Sequence, residues 1–75
     1  MVRIGIIGVG GIAQGVHIKE LLECDDVKIT AICDINRDTL HKVGDQLGIE
    51  DEYRFENYND LINCEIVDAV ESLLY

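Results

Sequence analysis

Three small residues near the start of the chain have the spacing of a phosphate-binding turn. Gly8, Gly10 and Ala13 form the pattern G-x-G-x-x-A directly after an apolar run. In a dinucleotide-binding turn, the first glycine allows a tight bend, the second leaves room for a pyrophosphate, and the third small residue lets the helix lie close to the strand. The amides at the helix start then point at the anion. The pattern predicts a pyrophosphate site, although a flexible strand–helix turn would use the same glycines.

An acidic residue follows at the distance that such a site requires. Asp34 ends a second apolar run, twenty-one residues beyond Ala13. A carboxylate there can accept hydrogen bonds from both hydroxyls of the adenosine ribose. Its charge would repel a 2′-phosphate, which favours NAD over NADP. Arg37 could reach a 2′-phosphate and partly offset this repulsion, so NADP remains an alternative.

The elements that must position these residues alternate between strand and helix. Val2–Ile7 and Val27–Cys33 are apolar runs of the kind found in strands that are covered on both faces. Residues 10–24 between them predict a helix. Gly15 lies inside it, where glycine costs about 1 kcal/mol relative to alanine. We therefore predict that another part of the protein closely approaches the backbone at Gly15.

The same alternation continues to the end of the chain. Asn36 predicts the N-cap of a second helix, and Gly48 predicts its end. A short strand at residues 53–55, a brief helix capped by Asn57 and a fourth strand from Ile66 follow. Strands and helices of these lengths predict right-handed βαβ units and a parallel sheet.

Composition excludes several classes of partner. The chain has 75 residues, of which 48% are hydrophobic, and a net charge of −9. Duplex nucleic acid and anionic membrane surfaces are disfavoured because the chain lacks a basic face.

We predict neither a signal peptide nor a membrane span. Three cysteines without metal-site spacing indicate reduced thiols in a cytoplasmic protein. The apolar content exceeds what a free-standing domain of this size needs, which predicts part of a larger one.

We predict no catalytic residue and no metal ligand within the chain. His17 and His41 have no serine, cysteine or carboxylate at the spacing of a triad or a metal site. The acidic run at residues 50–52 lacks the ligand spacing of a calcium loop, and we expect it to be a solvated loop.

Further motifs, "AICDIN" at residues 31–36 and "DLIN" and "VDAV" within residues 60–70, agree with the glycine turn in order and spacing. Over residues 2–70 the chain resembles the Gfo/Idh/MocA family, which includes glucose–fructose oxidoreductases and inositol dehydrogenases. The resemblance implies an α/β fold that is part of a Rossmann domain, with strand order 3-2-1-4 and flanking helices. It also implies hydride transfer between NAD or NADP and a sugar, polyol or related substrate. The cofactor-binding residues that it implies are Gly8, Gly10, Gly11, Ile12, Ala13, Asp34, Asn36 and Arg37.

The resemblance also implies parts that this sequence does not contain. Family members have a larger C-terminal substrate domain, and a Thr-Pro or Asn-Pro turn usually follows the "VDAV" strand. Here residues 71–75 read "ESLLY". We therefore expect residues 1–75 to be the N-terminal part of a dinucleotide-binding domain, inactive alone, which associates with itself or with the remainder of the enzyme through a strand at residues 67–74. The alternatives are an NAD(P)-binding regulator, an adenosylmethionine-dependent methyltransferase and a fragment without function.

Overall fold

A computed structural model of the chain describes residues 1–10 and 12–72, apart from the side chains of residues 12–14. Strands and α-helices alternate in the described part. The elements are β1 (Val2–Ile7), α1 (Ile12–Leu22), β2 (Val27–Cys33), α2 (Arg37–Leu47), β3 (Arg54–Phe55), α3 (Tyr58–Ile62) and β4 (Ala69–Ser72), with a 3₁₀ turn at Asp51–Tyr53. The predicted bounds of β1 and β2 are confirmed. The prediction was too long for α1 at both ends, and β4 begins three residues after the predicted Ile66. No helix in the described ranges has the length and apolar content needed to cross a membrane.

The strands form one parallel sheet in the order β3-β2-β1-β4, as predicted. Because the strands are parallel, the carboxyl ends of β1 and β2 lie at the same edge of the sheet. The residues that follow these ends, Gly8 and Asp34, are therefore neighbours in space although they are far apart in sequence.

The pairing of β1 with β2 skips one residue. Ile4 lies opposite Ile29, whereas the next residue of β1 lies opposite Ala31. Thr30 is left without a partner on β1, and its hydroxyl donates a hydrogen bond to the carbonyl oxygen of Ile66 at 2.8 Å. The skipped residue has the effect of a β-bulge, because Ile29 and Ala31 pack into clusters on opposite faces of the sheet.

Apolar side chains cover both faces of the sheet. The cluster on the side of α1 and α2 has the buried members Ile6, Val9, Ile18, Ile29, Ile32, Leu40 and Ile49. The cluster on the side of α3 has the buried members Ile7, Ala31, Cys33 and Leu61. Leu61 lies directly over Gly5, where an added β-carbon would be 2.8 Å from the Leu61 Cδ2 atom. The core therefore sits on either side of β1 and β2, the strands that carry the glycine turn and Asp34.

Local side-chain hydrogen bonds and a left-handed glycine define the ends of α2. The side-chain oxygen of Asn36 accepts a hydrogen bond from the Thr39 amide at 3.1 Å, which confirms the predicted N-cap. Gly48 has a φ of 68°, and its amide donates to a carbonyl of the last turn. These caps fix the first turn of α2, which lies beside Asp34.

Arg54 closes the C-terminal end of α2. Its side chain is 10% exposed, and it forms ion pairs with Asp45 and Asp51 at 3.0 and 3.2 Å. Its Nε and Nη2 atoms donate to the carbonyl oxygen of Ile49 at 2.8 and 2.6 Å. The side chain crosses α2 at Gly44, where an added β-carbon would lie 2.7 Å from the Arg54 Cδ atom. The acidic run at residues 50–52 is exposed, as predicted, and Asp51 also takes part in this contact.

The close approach predicted at Gly15 is wrong. A β-carbon added to Gly15 would meet no described heavy atom within 4 Å. The glycine of the described helices that does permit a close approach is Gly44, which the sequence pattern did not single out.

Arg3 and Asp68 join β1 to the segment before β4. The Arg3 side chain donates from Nη2 to Oδ1 and from Nε to Oδ2 of Asp68 at 2.8 and 3.0 Å. The backbone adds two bonds, from the Arg3 amide to Asp68 Oδ2 at 2.9 Å and from the Asp68 amide to the Arg3 carbonyl at 2.7 Å. Hydrogen bonds and the charge of the guanidinium lower the pKa of Asp68 to about 2.

Candidate functional site

The turn after β1 is built around a left-handed glycine. Gly8 has a φ of 83°, a conformation that residues with a β-carbon rarely adopt. Its amide donates to the carbonyl oxygen of Cys33 at 2.8 Å, which joins the turn to the end of β2. The tight bend predicted at Gly8 is therefore present, and it holds the turn beside Asp34.

The carboxylate of Asp34 faces this turn. One oxygen, Oδ2, accepts a hydrogen bond from the Gly10 amide at 3.2 Å, and the other, Oδ1, accepts from the Asn36 amide at 2.8 Å. The Asp34 amide donates to the carbonyl oxygen of Phe55 at 3.1 Å, so the end of β3 is also fixed here. The half-buried carboxylate therefore has a defined orientation, with acceptor capacity left on both oxygens.

The lack of a side chain at Gly10 has a reason within the protein itself. An added β-carbon would lie 3.2 Å from Thr39 Cγ2 and 3.5 Å from Asp34 Oδ2. A β-carbon at Gly10 would therefore press on Thr39 of α2 and come into van der Waals contact with the carboxylate. The predicted reason, room for a pyrophosphate, is separate and stays a prediction.

The thiol of Cys33, the last residue of β2, is buried in the cluster on the side of α3. Burial, together with the nearby charges of Asp34 and Asp60, raises the pKa of this thiol. The thiol is therefore neutral at physiological pH. Cys24 and Cys64 are free thiols as well, and Cys24 is exposed.

Arg37 begins α2 at the rim of the site and forms an ion pair with Glu56. The pair joins Arg37 Nε to Glu56 Oε1, and the two side chains are 76% and 51% exposed. Glu56 directly follows β3, which pairs with the end of β2 through Cys33 and Phe55. The carboxylates of Asp34 and Glu56 thus follow the ends of adjacent parallel strands.

The described residues bring most of the predicted site together. Gly8, Gly10, Asp34 and Asn36 are linked by the contacts above, and Arg37 lies at the rim. The expectations for Gly11, and for the side chains of Ile12 and Ala13, lie outside the part of the chain that the structure describes.

Three residues at this edge were not predicted from the sequence. Thr39 contacts the position of Gly10, Glu56 holds Arg37, and Ile35 is 91% exposed between two hydrogen-bonded residues. The sequence contained a signal for Ile35, because this large apolar residue directly follows the acid that ends β2. Glu56 and Thr39 carry no such signal, because their roles depend on contacts between separate elements.

The two histidines have no place in this constellation. His17 Nε2 is enclosed and lies 3.1 Å from Glu71 Oε1, without the alignment of a hydrogen bond. This contact joins α1 to β4. His41 is exposed on α2.

Comparison with known proteins gives consistent matches. The model of an oxidoreductase family with an NAD-binding Rossmann fold, GFO_IDH_MocA, matches residues 2–71. A myo-inositol 2-dehydrogenase from Thermotoga maritima is 38% identical over 68 residues, which are 91% of this chain and 20% of that protein. The match covers the glycine turn together with Asp34, and it argues against the methyltransferase alternative.

Solved structures agree with the sequence matches. A probable dehydrogenase from Thermotoga maritima has a TM-score of 0.85 and 34% identity, over 99% of this chain and 21% of that one. A 3-ketoreductase from Actinomadura kijaniata, solved with TDP-benzene and NADP, has a TM-score of 0.82 and 29% identity, over 97% of this chain and 22% of that one. The present chain therefore spans about one fifth of the length of these proteins.

Proposed function

Because the chain belongs to the Gfo/Idh/MocA oxidoreductase family, by the match of its NAD-binding Rossmann fold, we propose that it binds NAD at the edge formed by the glycine turn and Asp34. One observation carries this proposal. The Asp34 carboxylate lies 3.2 Å from the Gly10 amide, so an acceptor for ribose hydroxyls stands next to the amides that would hold the pyrophosphate.

The ribose and the adenine of NAD each have a group to contact. The free lone pairs of Asp34 would accept from the ribose hydroxyls, while the Asn36 amide keeps the carboxylate oriented at 2.8 Å. The exposed side chain of Ile35 offers an apolar surface for the adenine ring.

The whole protein would transfer hydride between the nicotinamide of NAD and a hydroxyl or carbonyl group of a sugar, polyol or related compound. Support comes from the family and from the inositol dehydrogenase that matches 91% of this chain. We assign no step of the chemistry to the described residues. Their part is to bind and orient the adenosine and pyrophosphate groups, and the substrate contacts belong to the remaining length of such enzymes.

Two properties of the whole protein follow as proposals. The three free thiols favour a reducing compartment, the cytoplasm.

Association at β4, with another copy or with the remainder of the enzyme, is supported by the exposure of this strand. Among the described strands, β4 pairs with β1 alone, and Val70 is 39% exposed.

The binding site can be tested with a substitution that keeps the size of the acid. We expect Asp34→Asn to weaken binding of NAD to the 75-residue chain by about tenfold or more, because a hydrogen bond to a charged group contributes about 1.5–3 kcal/mol. Isothermal titration calorimetry with NAD and with ADP-ribose measures both affinities. An equal loss of affinity for NAD and for ADP-ribose would show that the substitution acts on the adenosine half of NAD.

The matched control is Asp26→Asn. Asp26 is exposed and lies just before β2, at the opposite end of the strand from Asp34. It changes the net charge by the same amount, so it corrects for general electrostatics. Equal losses in both variants, or unchanged NAD binding in Asp34→Asn, would contradict the proposed site.

A further inference from the structure

We propose that Glu56 determines the preference of this site for NAD over NADP by occupying Arg37. The inference rests on the proposed function, because it concerns the position of the 2′-hydroxyl of adenosine. Arg37 begins α2 at this edge, and its Nε atom is bound to Glu56 Oε1. A 2′-phosphate would need the same guanidinium.

The topology brings Glu56 to this position. Cys33 pairs with Phe55 across β2 and β3, so the next residues, Asp34 and Glu56, leave the sheet side by side. The hydrogen bond from the Asp34 amide to the Phe55 carbonyl, at 3.1 Å, fixes the two chain segments at this point. Glu56 is therefore next to the acid that would hold the ribose, although twenty-two residues separate them in the sequence.

Charge at this edge then disfavours a 2′-phosphate for two reasons. Arg37 is already neutralised by Glu56, and Asp34 adds a second carboxylate next to the ribose position. A phosphate must compete with Glu56 for the charge of Arg37 and is repelled by both carboxylates. The 2′-hydroxyl of NAD has neither cost, since it only donates to Asp34.

The exposure of the pair determines the size of the effect. Both side chains are more than half exposed, and such ion pairs contribute about 1 kcal/mol or less. Releasing Arg37 therefore does not abolish NAD binding or unfold the chain. It changes the balance between two ligands that differ only in the 2′-phosphate.

The test compares ADP-ribose with 2′-phospho-ADP-ribose, which removes the nicotinamide from the comparison. We expect Glu56→Gln to tighten binding of 2′-phospho-ADP-ribose by about fivefold, the factor that corresponds to about 1 kcal/mol. Binding of ADP-ribose should change by less than about twofold on the same scale. Calorimetry on the 75-residue chain measures both constants.

A double-mutant cycle separates release of Arg37 from loss of a negative charge. If Glu56 acts through Arg37, Glu56→Gln tightens binding of 2′-phospho-ADP-ribose less in an Arg37→Gln background. The gain in binding free energy there should be less than about half of the gain in the unaltered chain. An equal gain in both backgrounds overturns the proposal, because repulsion alone would then account for it. The control is Glu23→Gln, which removes an exposed carboxylate just after α1 and should leave both affinities unchanged.

The outcomes also distinguish this inference from the proposed function. Tight binding of ADP-ribose to the unaltered chain, with no gain for the phosphorylated ligand in Glu56→Gln, overturns the role of Glu56 and leaves the NAD site standing. Failure of the unaltered chain to bind ADP-ribose overturns both.

Discussion

At the scale of single residues, the site depends on groups that orient one another. The Asp34 carboxylate is held by two backbone amides, and Gly10 owes its lack of a side chain to the nearness of Thr39 and Asp34. A substitution at Gly10 would therefore press on Thr39 and fill the space beside the acid before any ligand is present. The turn and the acid are joined by the hydrogen bond from the Gly10 amide to the Asp34 carboxylate.

Sequence reasoning found the residues whose requirement is local. Gly8 was predicted because a left-handed bend after a strand needs glycine, and Asp34 because it ends an apolar run. Glu56 was missed because its partner, Arg37, is nineteen residues away and on another element. Nothing in the residues around Glu56 indicates that pairing, which arises only when β3 lies beside β2.

The Arg3–Asp68 pair leads to a prediction about pH. The pKa of Asp68 is lowered to about 2 from a usual value of 3.8, so the pair stabilises the fold above about pH 4 and loses its contribution as the pH falls towards 2. We expect Asp68→Asn to have a lower urea midpoint than the unaltered chain at pH 7. That difference should shrink steadily below pH 4.

The control is Asp25→Asn, in the exposed turn before β2. Circular dichroism at several pH values gives the midpoints of all three proteins. A deficit of Asp68→Asn that stays constant from pH 7 to pH 3 would mean that the carboxylate charge does not stabilise the fold.

At the scale of elements, apolar runs were enough to predict β1, which ends before Gly8, and β2, which lies between Asp26 and Asp34, to the residue. The start of β4 was not predictable in this way. Ile66 begins the apolar run but lies before the strand, where its carbonyl accepts from Thr30. The skipped residue at Thr30 escaped prediction for the same reason, because it depends on pairing between elements rather than on the pattern of one strand.

The glycines of the two long helices lead to a prediction with opposite signs. Alanine is favoured over glycine inside a helix by about 1 kcal/mol, so Gly15→Ala should stabilise the chain by up to that amount. Gly44→Ala should destabilise it by about 1–3 kcal/mol, because the new β-carbon overlaps the side chain of Arg54.

Urea unfolding of the two variants and the unaltered chain tests this difference. The variants serve as controls for each other, since both make the same chemical change within a helix of eleven residues. A higher midpoint for Gly44→Ala would show that Arg54 moves aside without cost. The contact between Arg54 and α2 would then not determine stability.

At the scale of the whole molecule, the sheet is covered unevenly. Two clusters pack on β1 and β2, whereas three of the four residues of β4 are exposed. The strand order was predictable, because right-handed crossovers and the family resemblance allow few alternatives. The exposed fraction of β4 was not predictable, because it depends on which elements surround the strand. Of the strand predicted to associate, residues 73 and 74 lie outside the described residues.

The proposed association at β4 predicts an effect of charge on self-association. We expect the 75-residue chain to form dimers or larger species at high concentration, and Val70→Lys to shift it towards monomer, because a lysine on an exposed strand opposes edge pairing. Sedimentation velocity over a range of concentrations measures the shift. Val16→Lys is the control, since Val16 is an apolar residue on α1 that is 55% exposed.

A monomer at every concentration for the unaltered chain would contradict self-association. An equal shift towards monomer in Val70→Lys and Val16→Lys would mean that the interface lies away from β4, or that net charge alone controls self-association.

The exposure of the Glu56–Arg37 pair has an evolutionary consequence. Neither side chain belongs to a buried cluster, so exchanging Glu56 disturbs no packing that the fold requires. A single-base change in the Glu56 codon can replace the acid by glutamine or lysine. A lineage could therefore loosen the preference for NAD by about fivefold in one mutational step, without passing through a variant that fails to fold.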